Sequence, residues 1–252
     1  MISVIIPTYK CPEALDLCLE SAIKGQIEKN EIIVVVDGYY DLNSSIIEKW
    51  KNFIRVINMP QNIGLCRSTN AGVYNAKNER ILIVNDDNVF PEKWDEKLNT
   101  IYRPDAIISP NQIEPYNSIF RQFHIQDLGR SIESFDLEKY WNYEKTISSN
   151  KIDICGSTLP IFMSKHIFCV VGGWDENYPS GLVADWDFFL KCGMINISFI
   201  RSYSCHFYHF VSLTVNDKSD RSDQEAKAHA YAIQKWGTPI RHNWLTNKKY
   251  IR

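Results

Sequence analysis

The chain has 252 residues, of which 44% are hydrophobic and 23% are charged. This composition excludes disordered and fibrous proteins, and the length allows one large domain with a sizeable core. The formal net charge of -2 and a pI near 6.3 give no general attraction to nucleic acid or to anionic membranes. We therefore expect a small or neutral partner and no nucleic acid.

The first half of the chain alternates short apolar runs with stretches of helical periodicity. Strands are predicted at residues 2–6, 31–36, 55–59 and 81–84, and helices at residues 12–25, 44–50 and 66–76. Continuous aliphatic runs are typical of strands buried on both faces of a parallel sheet. Because strands and helices alternate with short connections, we predict an α/β fold with a doubly wound, mostly parallel sheet.

The second half has a weaker pattern. It predicts strands at residues 105–109 and 197–200, a strand and loop at 151–162, and helices at 164–171, 182–192 and 220–237, with a further helix opening at residue 91. Residues 111–150 are aromatic and polar without a clear period, so the sequence does not place their elements. The last residues, from 242 to 252, are basic and are expected to be loosely attached.

Cysteine usage and hydropathy indicate the compartment. The seven cysteines are an odd number and include no CxxC pair, a pattern typical of buried thiols in a reducing compartment. No apolar stretch approaches the roughly 20 residues that a transmembrane helix needs. The first apolar run begins directly after Met1 and is too short for a signal peptide. We therefore expect a soluble, cytoplasmic protein without a transmembrane segment.

Acidic side chains follow apolar segments at three points. Asp37 follows the second strand, Asp86 and Asp87 follow the fourth, and Asp185 and Asp187 lie in the late helix. Singly, each has an ordinary structural explanation as a turn residue, a helix cap or a solvated side chain. Because ligands of open α/β sheets bind at the carboxyl ends of the strands, we expect these acids to share one rim.

The turn after the first strand restricts the ligand. Residues 8–11 read TYKC, without the glycines of a GxGxxG loop, which argues against NAD and FAD. No GxxxxGK[ST] motif is present, which excludes P-loop NTPases. Two carboxylates repel a diphosphate by roughly 4 kcal/mol per pair at ~4 Å and an effective dielectric of about 20. A divalent cation reverses this sign, with Asp87 as the expected direct ligand and Asp86 acting through water or on a sugar hydroxyl.

Six segments in order now carry a family resemblance. They are SVIIPTYKCPEALDLCLESAI, EIIVVVDG, NIGLCRSTNAGVYNA, ILIVNDDNVFP, GGWDENYP and ADWDFFLKC. Together they resemble family-2 glycosyltransferases of the inverting GT-A type, and the NDDN segment is similar to the spore-coat polysaccharide transferase type. The resemblance implies a single GT-A, Rossmann-like domain. It places a nucleotide-sugar-binding half at residues 1–110, an elaborated acceptor-binding and catalytic half at 111–219, and a C-terminal helix and tail at 220–252.

The resemblance also implies nucleotide-binding roles. Asp37 would hydrogen-bond the base, most often uracil, although Val36 replaces the first acid of an Asp-Asp pair that many members carry. The other expected nucleotide contacts are Thr8 and Tyr9 at the base and ribose, Arg67 and Asn70 at the base or diphosphate, and Asp86 at the ribose.

The expected metal ligands and general base follow from the same resemblance. Asp87 would bind the metal, completed by His209 or alternatively by His206. An imidazole ligand makes Mn²⁺ the more expected cation than Mg²⁺. Asp185 lies at the Asp of the family's ED motif, whose Glu is replaced by an alanine here, and would be the general base. Asp187 is the alternative base.

The implied activity is metal-dependent, inverting transfer from a nucleotide sugar, with a UDP-sugar most expected, to a hydroxyl of a glycan, lipid-linked or protein acceptor. One alternative is a catalytically silent module that binds nucleotide sugar or glycan. A sugar-phosphate nucleotidyltransferase is a further alternative, and it would be expected to carry a glycine-rich loop after the first strand. The sequence does not identify the sugar, the nucleotide or the acceptor.

Overall fold

The computed structural model of the chain describes residues 1–116, 123–155, 158–211 and 218–240. The strands are β1 (Ile2–Thr8), β2 (Glu31–Asp37), β3 (Ile54–Met59), β4 (Arg80–Ile83), β5 (Asn88–Val89), β6 (Ala106–Glu114), β7 (His124–Ile125), β8 (Ile152–Asp153), β9 (Ile161–Ser164) and β10 (Ser198–His209). The helices are α1 (Pro12–Gly25), α2 (Tyr40–Trp50), α3 (Leu65–Tyr74), α4 (Trp94–Ile101), α5 (Leu137–Ile147), α6 (Lys165–Val170), α7 (Ala184–Met194) and α8 (Lys218–Trp236). The tail predicted from residue 242 lies outside the described residues.

All strands belong to one sheet, in the order β3-β2-β1-β4-β9-β6-β10-β5, with β7 beside β6 and β8 beside β10. Strands β3, β2, β1 and β4 run parallel, and β10 is parallel to β6. Strand β9 is antiparallel to both β4 and β6, so β6 and β10 run in the same direction as β1. The carboxyl ends of β1, β2, β4, β6 and β10 therefore lie at one rim of the sheet.

The sheet is covered on both faces because successive side chains of a strand point to opposite sides. Ile5, Ile33 and Val35 pack with α3, α6, α7 and α8 on one face. Val4 and Val34 pack with α1, α2 and α4 on the other. The predicted α/β fold with a doubly wound, mostly parallel sheet is confirmed.

Three elements after residue 90 differ from the prediction or were not predicted. Strand β10 does not end at residue 200 but continues to His209, with a register shift between Ser202 and His206. Polar residues interrupt its apolar pattern, so periodicity alone indicates only the first residues of the strand. Helix α5 lies in the stretch that the sequence did not place, and it begins where the Asp136 carboxylate accepts from the Lys139 amide at 3.0 Å. The helix expected to open at residue 91 begins at Trp94.

Two further findings concern membrane-spanning helices and cysteines. No helix within the described ranges combines the length and apolar character needed to cross a bilayer. All seven cysteines are unpaired, and Cys18, Cys66, Cys192 and Cys205 are buried.

Candidate active site at the sheet rim

Thr8 and Asp86 meet at the rim because β1 and β4 are neighbours. The Thr8 hydroxyl donates to Oδ2 of Asp86 at 2.7 Å, and both residues are buried. Burial, together with the charge of neighbouring Asp87, raises the pKa of Asp86 to about 7 although the Thr8 hydrogen bond opposes the shift. A cationic or hydroxyl-bearing ligand here would stabilise the ionised carboxylate.

Asp87 and His209 are brought together by the pairing of β5 with the end of β10. The Asp87 carbonyl accepts from the Phe210 amide at 3.3 Å. Nε2 of His209 lies 3.5 Å from Oδ2 of Asp87, and Nδ1 lies 3.2 Å from Oε1 of Glu114, the last residue of β6. Burial lowers the pKa of His209, but the two carboxylates outweigh burial and raise it to about 10.

The donor chemistry of this cluster fits a divalent cation. Within the described part of the chain, no group of three or more His, Cys, Asp and Glu side chains has the geometry to hold a metal ion by itself. Asp87 and His209 nevertheless present one oxygen and one nitrogen side by side, and magnesium-type sites take their remaining ligands from substrate phosphates and water. Glu114 contacts Nδ1 of His209, and many metal-binding histidines have such a carboxylate partner on the nitrogen that does not bind the metal.

Asp37 ends β2 and fixes the loop that leads into α3. Its two oxygens accept from the amides of Ile63 at 2.7 Å and Gly64 at 3.0 Å. Gly38 has a φ of +75°, and a Cβ there would lie 2.8 Å from the Asn62 nitrogen, so the turn requires glycine. The observed role of Asp37 is to hold this loop, and its contact with a base stays a prediction.

An aromatic and cationic cluster beside Asp37 was only partly visible in the sequence. The rings of Tyr9 and Tyr39 meet edge to face at 5.5 Å, and Nζ of Lys10 lies 4.1 Å from the Tyr39 ring centroid. Lys10 and Tyr39 have φ values of 53° and 55°, which are uncommon for residues other than glycine. Sequence reasoning selected Tyr9 but not Lys10 or Tyr39, because no motif or period marks them.

Arg67 and Asn70, on α3, contact the loop at residues 172–177. Asn70 accepts from the Trp174 amide and donates to the Trp174 carbonyl, both at 2.9 Å, and it also donates to Glu176 at 2.9 Å. Nε of Arg67 lies 3.5 Å from the other Glu176 oxygen. The amide of Asn70 is therefore committed to the loop, and its contact with a nucleotide stays a prediction. Arg67 is half-exposed and remains accessible to a ligand.

Asp185 lies in the first turn of α7, after a strained residue. Val183 has a φ of +68°, which is unfavourable for a β-branched side chain. The Asp185 carboxylate accepts from the Trp186 amide at 2.9 Å, and burial raises its pKa to about 7 against the effect of backbone hydrogen bonds. Gly181 packs on Leu65 at the start of α3, where a Cβ would lie 2.4 Å from the leucine side chain. The segment before α7 therefore packs against the start of α3.

Asp187, the alternative base, is fully buried in an ion-pair cluster. Its carboxylate accepts from Nε1 of Trp236 at 2.7 Å and from the Tyr178 hydroxyl at 3.3 Å. Nζ of Lys235 lies 2.9 Å from it and 2.6 Å from Asp175. Both oxygens of Asp187 therefore hold α8 against α7.

His206, the alternative metal ligand, lies three positions before His209 on β10 and faces away from it. It is fully buried, with Nδ1 3.7 Å from Glu144 and its ring 5.0 Å from that of His124. The structure therefore places His206 with α5 and β7 rather than with Asp87.

The match to a known family agrees with this geometry. The model of glycosyl transferase family 2 matches residues 3–157, which include Thr8, Asp37, Asp86 and Asp87. The chain belongs to glycosyl transferase family 2. The predicted family is therefore confirmed.

Individual relatives cover the chain in part. Glycosyltransferase GlyG of Streptococcus pneumoniae serotype 4 is 27% identical over 148 residues, which are 56% of this chain and 49% of GlyG. The chain therefore spans about half the length of that curated relative.

Solved structures show the same fold at low identity. The mannosyltransferase PcManGT from Pyrobaculum calidifontis, in complex with GDP-Man and Mn²⁺, has a TM-score of 0.63 at 14% identity and covers 92% of this chain and 64% of its own. S. aureus TarS 1-349 in complex with UDP has a TM-score of 0.62 at 12% identity and covers 94% and 72%. The chain has the GT-A fold, which these structures share.

Proposed function

We propose that this chain transfers a sugar, with inversion, from a nucleoside diphosphate sugar to a hydroxyl of a glycan, lipid-linked or protein acceptor, and that the reaction depends on a divalent cation. The observation that carries the proposal is the position of His209 between Asp87 and Glu114, next to the Thr8–Asp86 pair. Solved neighbours bound to GDP-Man with Mn²⁺ and to UDP support it. A UDP-sugar with Mn²⁺ is the pair we expect.

The nucleotide side of the site is formed by the ends of β1 and β2 and the start of α3. Tyr9 and Tyr39 offer ring faces beside Asp37 on which a base can stack. Thr8 holds the Asp86 carboxylate through the 2.7 Å hydrogen bond, and Asp86 would contact the ribose. Arg67, half-exposed at the start of α3, is the guanidinium that a diphosphate would reach.

Asp87 and His209 would hold the cation. When bound, the cation supplies positive charge beside the departing diphosphate. Without it, the acidic rim repels the same diphosphate by the Coulomb cost of neighbouring like charges. The imidazole of His209 favours Mn²⁺ over Mg²⁺, because nitrogen ligands suit the later metal better.

Asp185 would act as the general base. Its carboxylate takes the proton of the acceptor hydroxyl while that oxygen bonds to the anomeric carbon, and the bond from this carbon to the diphosphate oxygen breaks with its electron pair. A single displacement of this kind inverts the anomeric configuration. The pKa of about 7 leaves a large ionised fraction at neutral pH together with useful basicity.

A thermal-shift panel followed by turnover measurements tests the proposal. We expect Mn²⁺ with UDP, or with GDP or dTDP, to raise Tm, because a ligand at 100 times its Kd stabilises by about 2.7 kcal/mol. EDTA should abolish the shift. Asp87→Asn and His209→Ala should reduce it, whereas Asp105→Asn, on the exposed surface, should not.

The turnover step separates the proposed transferase from the two alternatives, a silent binding module and a nucleotidyltransferase. Release of UDP from a UDP-sugar with acceptor, and an inverted anomeric signal by NMR, are the expected results. Binding without turnover across donor and acceptor panels would favour a silent module. Pyrophosphate release from a nucleoside triphosphate and a sugar 1-phosphate would favour a nucleotidyltransferase. No shift with any nucleoside diphosphate would contradict the proposal.

A further inference from the structure

We infer that Glu114 is a positioning residue of the cation site, which orients His209 so that Nε2 faces Asp87. This inference rests on the proposed function, because it assigns a role toward the cation that the proposal requires. The observation behind it is that Glu114 and Asp87 contact opposite nitrogens of one imidazole, at 3.2 Å and 3.5 Å.

The position of Glu114 is fixed by backbone pairing with strands on both sides of β6. It is the last residue of β6, whose end pairs with β10 on one side and with β7 on the other. Its carbonyl accepts from the Gln126 amide at 3.0 Å. The side chain is only 7% exposed, and a buried carboxylate is costly unless a donor faces it. Strand β6 thus holds the Glu114 carboxylate beside the His209 ring.

The chemistry of imidazole gives this contact a direction. A neutral histidine has one N–H donor and one nitrogen acceptor, and an ionised carboxylate can only accept. When Nε2 gives its lone pair to a cation, Glu114 accepts from the hydrogen that stays on Nδ1. Nε2 then faces Oδ2 of Asp87 across the position that a cation shared by the two residues would take. Loss of such a partner typically weakens metal affinity 10- to 100-fold.

A purely structural role for Glu114 would give different results. Asp187 illustrates that role, since its carboxylate joins two helices and faces no group that the proposed chemistry uses. A structural residue, when removed, lowers stability without changing which cation the site prefers. A positioning residue lowers the affinity for Mn²⁺ more than for Mg²⁺, because Mn²⁺ gains more from an oriented nitrogen ligand.

The test compares Glu114→Ala and Glu114→Gln with the wild-type chain and with Glu31→Ala. Glu31 is a matched control because it is a partly buried carboxylate with an arginine partner at the opposite, amino-terminal end of β2. Binding of Mn²⁺ in the presence of UDP is measured by EPR of free Mn²⁺, and Mg²⁺ binding by competition. Coupling of Mn²⁺ to an imidazole ¹⁴N is measured by electron spin echo modulation.

We expect Glu114→Ala to bind Mn²⁺ about 10- to 100-fold more weakly, with a reduced preference over Mg²⁺ and a weakened ¹⁴N coupling. Glu114→Gln should retain most of the affinity and the coupling, since its amide oxygen still accepts from Nδ1. Glu31→Ala should match the wild type. The glutamine variant keeps both the shape and the acceptor of the native side chain, so a loss of ¹⁴N coupling in Glu114→Gln contradicts the inference even where the alanine variant does not fold.

Three further results would overturn the inference. Unchanged Mn²⁺ affinity and ¹⁴N coupling in Glu114→Ala, with normal binding by the wild type, would overturn the inference and leave the proposed function intact. Equal loss of affinity in the alanine and glutamine variants, with the ¹⁴N coupling retained, would indicate that Glu114 is a direct ligand. This result would also overturn the inference and leave the proposed function intact. Absence of Mn²⁺ binding by the wild type with UDP or GDP would overturn the proposed function and this inference together.

Discussion

Replacement of Asp185 by asparagine is expected to separate catalysis from binding. The substitution removes the proton acceptor and keeps the shape of the side chain. A general base typically contributes 10²- to 10⁴-fold to a rate, so kcat should fall by about that factor. Binding of UDP with Mn²⁺ should be unchanged, because Asp185 lies on α7, where it accepts from the Trp186 amide, and it is not one of the residues that we propose to hold the cation.

The raised pKa of Asp185 predicts the pH dependence of the wild-type rate. With a pKa of about 7, about half of the carboxylate is ionised at pH 7 and about a tenth at pH 6. The value of kcat should therefore fall about tenfold for each pH unit well below 7 and reach a plateau above about pH 8. The residual rate of Asp185→Asn should not show this decrease at low pH.

The same pKa gives the sign of the stability effect. An unfolded aspartate titrates near pH 3.9, so between about pH 4 and pH 7 the folded chain keeps a proton that the unfolded chain has lost. The contribution of Asp185 to the free energy of unfolding therefore decreases as pH rises through this window. Asp185→Asn should match the wild-type Tm near pH 4 and exceed it at pH 8.

Release of nucleoside diphosphate at saturating donor and acceptor gives kcat, and calorimetry gives Tm. Asp105→Asn is the control, because this carboxylate is 66% exposed at the surface. Transfer by Asp185→Asn within about threefold of wild type, against the 10²- to 10⁴-fold loss expected for a general base, would refute the assignment. A wild-type kcat that does not change between pH 5.5 and 8 would also refute it.

Two further substitutions test the packing around the site. Lys235→Met leaves Asp187 buried without its nearest cation, so we expect a loss of about 3 kcal/mol and a Tm lower by about 6–12 °C. Lys227→Met, in an exposed pair on the same helix, should cost under about 1 kcal/mol, and equal effects would contradict the buried-pair argument. Gly173→Ala places a Cβ 2.7 Å from Asn70 Oδ1 at a φ of +67°, so calorimetry should show a loss of about 1–3 kcal/mol, and an unchanged Tm would contradict the close packing.

The parallel half of the fold could be predicted because its strands leave few alternatives. The run at residues 32–36 is aliphatic throughout and is followed by Asp37, which is typical of a central strand with a polar residue at its carboxyl end. Asp86 and Asp87 follow the next buried run in the same way. These residues reach one rim because the strands are parallel, so the order of apolar runs and acidic residues in the sequence was enough to predict their common location.

Strand β10 could not be predicted in full, and the choice between the two histidines depended on it. With a strand expected to end at residue 200, neither His206 nor His209 had a defined side of the sheet. The register shift at Ser202 and the pairing of His209 with Asn88 decide which imidazole meets Asp87. That information lies in tertiary pairing and not in local periodicity.

The remaining contacts join residues far apart in the sequence. Asn70 was selected from a motif, but its partner Trp174 lies 104 positions away. Glu114 had no signal beyond being polar, because the strand was expected to stop at residue 109. Asp185 and Asp187 share one helical turn, and only burial and the contacts of Asp187 with α8 distinguish them.

The central claim is that Asp87 and His209 share one divalent cation with the diphosphate of the donor. Crystals grown with Mn²⁺ and UDP, measured at the manganese absorption edge, test it most directly. We predict one anomalous peak within bonding distance of the Asp87 carboxylate, Nε2 of His209 and a diphosphate oxygen. Bound UDP with the manganese peak at other side chains, or with no peak between this pair, would contradict the claim.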